Sequence, residues 1–346
     1  MKQFTAKALL QRNRSVFKVN CPEKLWGEKM NTSTIGVGEN KITFTSQGYK
    51  LAAILYTPED FTKSQSYPTI VFSPPFNQVK EQMGALYGKK MAEKGFLFIV
   101  FDHIGYGDSE GEIRNYENAF IKIESIHDAV SFACTLPYVD KDKLYGIGAC
   151  ASGGYMALAA VTDKRMKAIA TVSGMMDNRS TFLAGIDREA VIYMFTAANA
   201  ARQKHYETGK PVYADALDYE GITPEDLPEG ARREGYDYYM TARAGAETYP
   251  NYSNRSLANI AETNALTDAT TWAQYLYTPY LGIYGEKALA DTGPLTVAYY
   301  EKCSDPKELF EVPGASHVDL YDVEEYVDQA VDRITDFFGK YGNQPS

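Results

Sequence analysis

The chain has 346 residues, 45% apolar and 23% charged, a length that allows one large domain or a core domain carrying an insertion. Thirty-five Lys and Arg against 45 Asp and Glu give a net charge of −10, which excludes the extended basic field that nucleic acid requires. Mean hydropathy is −0.35 and no uncharged apolar run approaches the roughly 20 residues of a bilayer crossing, so a polytopic membrane protein is excluded as well.

From Met1 to Val19 the chain is basic, but Ala8-Leu9-Leu10 runs straight into Gln11-Arg12-Asn13-Arg14, so no secretory leader is expected. Residues 1–40 read as an N-terminal extension. Cys21, Cys134, Cys150 and Cys303 lie far apart without CxxC spacing, against both a zinc site and a disulfide scaffold. Reduced thiols in a cytoplasm are the expectation.

Residues 41–57 alternate as strands do around Ser46-Gln47-Gly48, predicting an opening hairpin. Short apolar runs follow at 69–72 and 96–101, separated by a helical stretch, Gln82 to Lys94; such runs suit strands buried on both faces. Lys80-Glu81-Gln82 reads as the exposed start of that helix, and Lys89-Lys90 as a solvated face. The alternation continues with a helix over 116–136, strands at 144–149 and 168–172 with a helix from Gly153 between them, a strand at 280–284, a helix from about Pro294, a strand at 308–312 and a last helix over 323–338. This predicts a mostly parallel α/β sheet with helices on both faces. Between about Asp177 and Thr278 the alternation fails, and residues 177–278 read as an inserted, mostly helical cap on a core of 41–176 and 279–346.

The strand Leu144 to Gly148 runs into Ala149-Cys150-Ala151-Ser152-Gly153-Gly154. A nucleophile on so sharp a strand-to-helix turn needs small residues two before and two after it, and Gly148 and Ser152 supply them around Cys150. The helix start aims N–H groups and a positive dipole end at the thiol, favouring thiolate and a nearby oxyanion. Two alternatives stay open: a buried structural cysteine, and a register in which Ser152 is the nucleophile with Cys150 and Gly154 as its flanks.

With Phe101-Asp102-His103-Ile104-Gly105-Tyr106-Gly107-Asp108-Ser109 matching a D-x-x-G-x-G-x-S turn, and Cys-Ala-Ser-Gly-Gly at 150–154, the chain resembles an α/β-hydrolase. The cysteine elbow makes it similar to the dienelactone hydrolases. The likeness covers residues 40–175 and 279–338.

It implies a histidine after the last strand as base, here His317, with His103, His127 and His205 left as turn, helix-surface and cap residues. It implies an orienting acid after the strand 280–284, Asp291 first and Glu286 second. One half of the oxyanion hole would be Ala151 N–H; the other falls in Ser73-Pro74-Pro75-Phe76-Asn77, where proline has nothing to donate and Phe76 N–H is preferred over Asn77. An ion pair with the His317 imidazolium is expected to hold the thiol as thiolate.

Eleven tyrosines lie between Tyr193 and Tyr277; packing is their default reading, with Tyr193, Phe195, Tyr239 and Asn77 as candidate substrate contacts. The reaction implied is hydrolysis of an ester, lactone or thioester through acyl-Cys150. The alternatives are acyl transfer or peptide cleavage on the same triad, or a non-catalytic ligand-binding member of the fold. No metal or organic cofactor is implied. The partner is a small-molecule acyl substrate, with neither nucleic acid nor membrane, and a homodimer is allowed.

Overall fold

A computed structural model of the protein describes residues 34–183, 185–219, 221–288 and 291–342. Cys21, the leader reading of 1–19 and all but the last residues of the expected extension lie outside the described residues. Among those described, no helix is long and apolar enough to cross a membrane.

β1 (Gly38–Ser46) and β2 (Tyr49–Thr57) pair antiparallel about Gln47 and Gly48, whose φ angles of 51° and 85° give the two-residue turn that suits strand twist. Then come β3 (Tyr67–Ser73), α1 (Met83–Glu93), β4 (Leu97–Phe101), α2 (Ala119–Ala133), β5 (Val139–Ala149), α3 (Ala151–Thr162) and β6 (Ala168–Val172). The segment between β6 and β9, read from sequence as an insertion, follows with α4 (Asn178–Leu183), α5 (Arg188–Thr208), β7 (Tyr213–Asp215), α6 (Ala231–Tyr239), β8 (Arg255–Leu257) and α7 (Ala261–Asn264). The chain returns to the sheet with β9 (Tyr280–Gly285), α8 (Thr292–Lys302), β10 (Lys307–Val312), α9 (Asp319–Asp322) and α10 (Glu324–Tyr341).

The main sheet has the order β1-β2-β4-β3-β5-β6-β9-β10, parallel from β4 onward, as an α/β-hydrolase requires. Successive residues of one strand serve opposite cores. Ile70 and Phe72 join Met83, Tyr87 and Met91 of α1 and Ile334 and Phe338 of α10, while Val71 joins Ile126 and Val130 of α2 and Tyr155 of α3. All five residues of β4 are inaccessible, which is why its sequence is an unbroken apolar run. Each such side chain contributes about 1.5–3 kcal/mol by leaving water.

The turn after β4 is held by Asp102, whose carboxylate accepts hydrogen bonds from Lys80 N–H (2.7 Å), Lys80 Nζ (2.7 Å) and Asp108 N–H (2.9 Å). Gly107, at φ 45°, passes so close that a Cβ would lie 2.3 Å from Asp102 Oδ2. Lys80 therefore differs from its surface reading: it is 2% exposed and also paired with Glu81 and Asp108. Burial raises the Asp102 pKa to about 6 against the opposing pull of Lys80.

The insertion leaves the sheet at the C-terminal end of β6. It meets the loops at that edge: Asn77 Nδ2 donates to Ser253 O (2.7 Å), Gln82 Nε2 to Ala244 O (2.7 Å), Tyr155 OH to Asn264 Oδ1 (2.9 Å), and Tyr238 sits edge-on to Tyr321 (5.1 Å between centroids).

Candidate active site

Cys150 joins β5 to α3 in a conformation that side chains rarely adopt, φ 51° and ψ −125°. Such strain of about 1–3 kcal/mol persists only where surroundings over-determine it. Here Cys150 N–H donates to Val172 O (3.0 Å), and its carbonyl accepts from Gly153 N–H and Met175 N–H (both 2.8 Å). The small-residue requirement is met physically at Gly148, where a Cβ would lie 2.1 Å from Ser152 O. Ser152 is fully buried in the first turn of α3; its Oγ donates to Pro74 O (2.6 Å) and accepts from Ser73 Oγ (3.0 Å). That hydroxyl is committed to tethering the turn after β3.

The tether matters because of what that turn presents. Cys150 is half-buried, and the groups that act on its sulfur to favour thiolate are the Tyr321 hydroxyl and the backbone N–H groups of Ala151 and Phe76, the two selected as oxyanion donors. Asn77 is not free to meet a substrate as expected. It is 2% exposed at φ 58°, its N–H faces Glu117 Oε2 (3.4 Å), its Nδ2 is spent on Ser253 O, and its Oδ1 accepts from Asn115 Nδ2 (3.3 Å).

His317 follows β10 through Pro313 and Gly314. Its carbonyl accepts from Ser173 Oγ (3.1 Å), and its ring is buried. Nε2 lies 2.6 Å from the Tyr321 hydroxyl, and Nδ1 lies 3.2 Å from Thr292 Oγ1. Among the described residues no carboxylate is hydrogen-bonded to the ring, which corrects the expected Cys-His-Asp arrangement. Glu286 instead accepts Gly314 N–H (2.8 Å) and braces the turn before His317, while Asp291 is exposed at the N-cap of α8. Thr292, the first residue of α8, faces the imidazole instead.

A neutral partner changes the resting charge. Burial lowers the His317 pKa to about 4, and burial raises the Cys150 thiol above its ordinary value against the opposing pull of Tyr321, Ala151 and Phe76. Both shifts favour neutral thiol and neutral imidazole over the ion pair expected from sequence. Alkylation of Cys150 by iodoacetamide should therefore be slow at pH 7 and climb until the pH exceeds the usual thiol range. A rate that is flat from pH 6 upward would restore the ion pair.

Sequence reasoning missed a buried carboxylate behind the turn after β3. Glu117, just before α2, is wholly buried and collects Lys122 Nζ (2.7 Å), Tyr106 OH (2.8 Å), Tyr155 OH (3.1 Å) and the Asn77 N–H already described. Lys122 is 1% exposed, with its ammonium over the Tyr106 ring (4.5 Å); burial lowers its pKa against the pull of Glu117. Between β6 and β9, Glu234 lies near the His317 backbone, and burial raises its pKa to about 7. His103, read as a turn residue, is buried with Nε2 2.9 Å from Ser73 Oγ; His127 pairs with Asp163 (3.4 Å).

Of the aromatic residues singled out, Tyr239 is buried beside Tyr238 and Tyr252, and its hydroxyl accepts from Gln78 Nε2 (3.0 Å). Tyr193 is 76% exposed and encloses nothing, while Phe195 is half-buried on the same helix. α5 is a solvent-facing helix over this stretch, so its tyrosine pattern carried no pocket signal.

Comparison with known proteins matches residues 47–275 to the family described as X-Pro dipeptidyl-peptidase (S15 family). An uncharacterized Escherichia coli (strain K12) protein, YcjY, is 35% identical over 86% of this chain and 98% of its own length. A polyketide transferase of Penicillium sp., grgF, is 26% identical over 79% of this chain and 89% of its own. The crystal structure of the α/β hydrolase GrgF from Penicillium sp. sh18 superposes with a TM-score of 0.72 at 24% identity, covering 89% of this chain and all of that one. A thiohydrolase of Eupenicillium brefeldianum is 24% identical over 75% of this chain and 82% of its own. The match spans β2, both sequence motifs and nearly all of residues 177–278, and with the strand order it places this chain in the X-Pro dipeptidyl-peptidase (S15) family of the α/β-hydrolase superfamily.

Proposed function

We propose that the protein is an acyl hydrolase that cleaves a thioester or an activated ester through a covalent acyl-Cys150 intermediate. The observation that carries this reading is the elbow itself: a strained, half-buried cysteine at a strand end, with two backbone N–H groups converging on its sulfur. Sγ attacks the acyl carbon, and Ala151 N–H and Phe76 N–H take the oxygen as it gains charge. His317 accepts the thiol proton, returns it to the leaving group, and then activates water. Thr292 holds the imidazole tautomer by accepting from Nδ1, in the place where sequence pointed to Asp291. The thioester choice is supported by the relative named a thiohydrolase.

Residues 177–278 serve as the cap in this reading, with Tyr239 beside the thiol, and substrate choice resides there. The cysteine elbow likewise keeps the chemistry close to that of the dienelactone hydrolases.

A panel of short-chain thioesters and p-nitrophenyl esters, quenched with acid and digested, should show the acyl mass on the peptide bearing Cys150. An acylated Ser152, or turnover with no adduct in either, would sink the reading. A second reading, cleavage of X-Pro amide bonds by the same cysteine, is favoured by the family match. Fluorogenic X-Pro amides run beside the thioesters decide between them by kcat/KM.

A further inference from the structure

We propose that the Tyr321 hydroxyl carries the proton between Cys150 Sγ and His317 Nε2, making it a third catalytic residue; this rests on the reading of Cys150 as nucleophile. The hydroxyl is 2.6 Å from the imidazole nitrogen, and it and the Cys150 sulfur act on each other directly. Its place is built, not incidental. Ser316 and Asp319 cap each other (Ser316 N–H to Asp319 Oδ2, 3.0 Å; Asp319 N–H to Ser316 Oγ, 3.2 Å) and start α9, which sets Tyr321 four residues beyond His317 on the same side of one turn. Tyr87 OH donates to Leu320 O (2.8 Å) and anchors that turn to α1; Tyr238, edge-on at 5.1 Å, fixes the phenol ring from the insertion.

The proton count closes without any other group. At rest Nδ1–H donates to Thr292 Oγ1, Nε2 accepts from Tyr321 O–H, and the thiol S–H points at the phenol oxygen. As Sγ bonds to the acyl carbon and the carbonyl π pair moves onto oxygen, the S–H bond breaks and its proton goes to Oη. The proton originally on Oη passes to Nε2. The phenol ends as it began and the imidazole is cationic. On collapse, the carbonyl reforms, the bond to the leaving group breaks, and the proton on Nε2 passes to the departing heteroatom, which restores neutral imidazole. Burial pushes Tyr321 ionisation well above the ordinary tyrosine value, so the two transfers are concerted and no free phenolate forms. Without this relay, neutral thiol and neutral imidazole would face each other through a group unable to pass charge.

The test is the acylation burst with p-nitrophenyl acetate, followed in wild type and Tyr321→Phe from pH 6 to pH 10.5, with a proton inventory in H2O/D2O mixtures on the wild type. At pH 7 the variant should acylate about 100-fold more slowly, the low end of what a positioned acid–base group supplies. The deficit should narrow steadily as the pH rises and thiolate forms without help, and the wild-type inventory should bow downward, as two protons in flight require.

A variant that acylates at the wild-type rate at pH 7 overturns the relay. So does a deficit that stays constant across the pH range, which is the mark of lost packing, and so does a linear wild-type inventory, which needs no variant to fold. If the wild type forms no adduct on Cys150, the nucleophile reading and the relay fall together. An adduct formed equally in both proteins removes the relay alone.

Discussion

Cys150→Ala is expected to lower turnover of activated thioesters by about 10⁴-fold or more, because acyl transfer through a covalent intermediate has no step left once the sulfur is gone. The fold should remain. The substitution removes one half-buried atom from a site fixed by backbone hydrogen bonds to Val172, Gly153 and Met175, none of which involves the side chain. Circular dichroism and thermal melting should place the variant within about 1 kcal/mol of wild type.

Ser152→Ala makes the necessary contrast. It leaves the thiol in place but frees Pro74 O from its 2.6 Å hydrogen bond, so Phe76 N–H loses its tether and kcat should fall without abolishing the Cys150 adduct. If Cys150→Ala turns over normally and Ser152→Ala is dead, the register is the other one. Cys150→Ser is less informative, since a hydroxyl held at this elbow is far harder to ionise than a thiol and a low rate would fit either view.

Much of this architecture was legible because it rests on short-range rules. The β4 run is apolar at every position because both faces are covered, and the demand for small residues around Cys150 is a steric fact that Gly148 meets with nothing to spare. His317 was singled out because the family resemblance expects a histidine after the last strand, and a Pro-Gly turn after an apolar strand marks that loop. The residues that were missed have signals of another kind. Tyr321 sits in Asp-Leu-Tyr-Asp, which reads as a surface helix start; only its i+4 relation to His317 hints that the two side chains meet. In α2 the buried face is Ala119, Lys122, Ser125, Ile126, Ala129, Val130 and Ala133. A lysine at the head of that face is the clue to a buried anion. Its partner Glu117 precedes the helix, where acidic residues are routinely solvated, so no local pattern names it. The failed acid at 291 has a similar cause. What faces an imidazole depends on where a helix begins, to within one residue, and sequence patterns do not fix helix starts that closely.

Glu117→Gln should separate the two things this carboxylate does. As the counter-ion of Lys122 it neutralises a fully buried ammonium, and removing one partner of a buried pair costs roughly 3–5 kcal/mol when the other stays charged. Lys122 already has a lowered pKa and can shed its proton, so the loss measured by urea unfolding should fall at or below the lower end of that range. As an acceptor, Glu117 holds Asn77 N–H (3.4 Å) and so helps keep Asn77 in its left-handed conformation, which in turn aims the neighbouring Phe76 N–H at Cys150. An oxyanion donor is worth about 10²–10³ in kcat, and a donor merely set askew should cost the smaller part, near 10²-fold. Iodoacetamide alkylation of Cys150, which develops no oxyanion, should change far less. The decisive comparison is Glu117→Gln with Lys122→Met, which removes the stranded charge along with its partner and should recover most of the lost stability. If turnover recovers with it, Glu117 acts only on the fold. If stability returns while kcat stays depressed and alkylation stays normal, the buried carboxylate is what keeps the turn after β3 aimed at the reacting carbonyl.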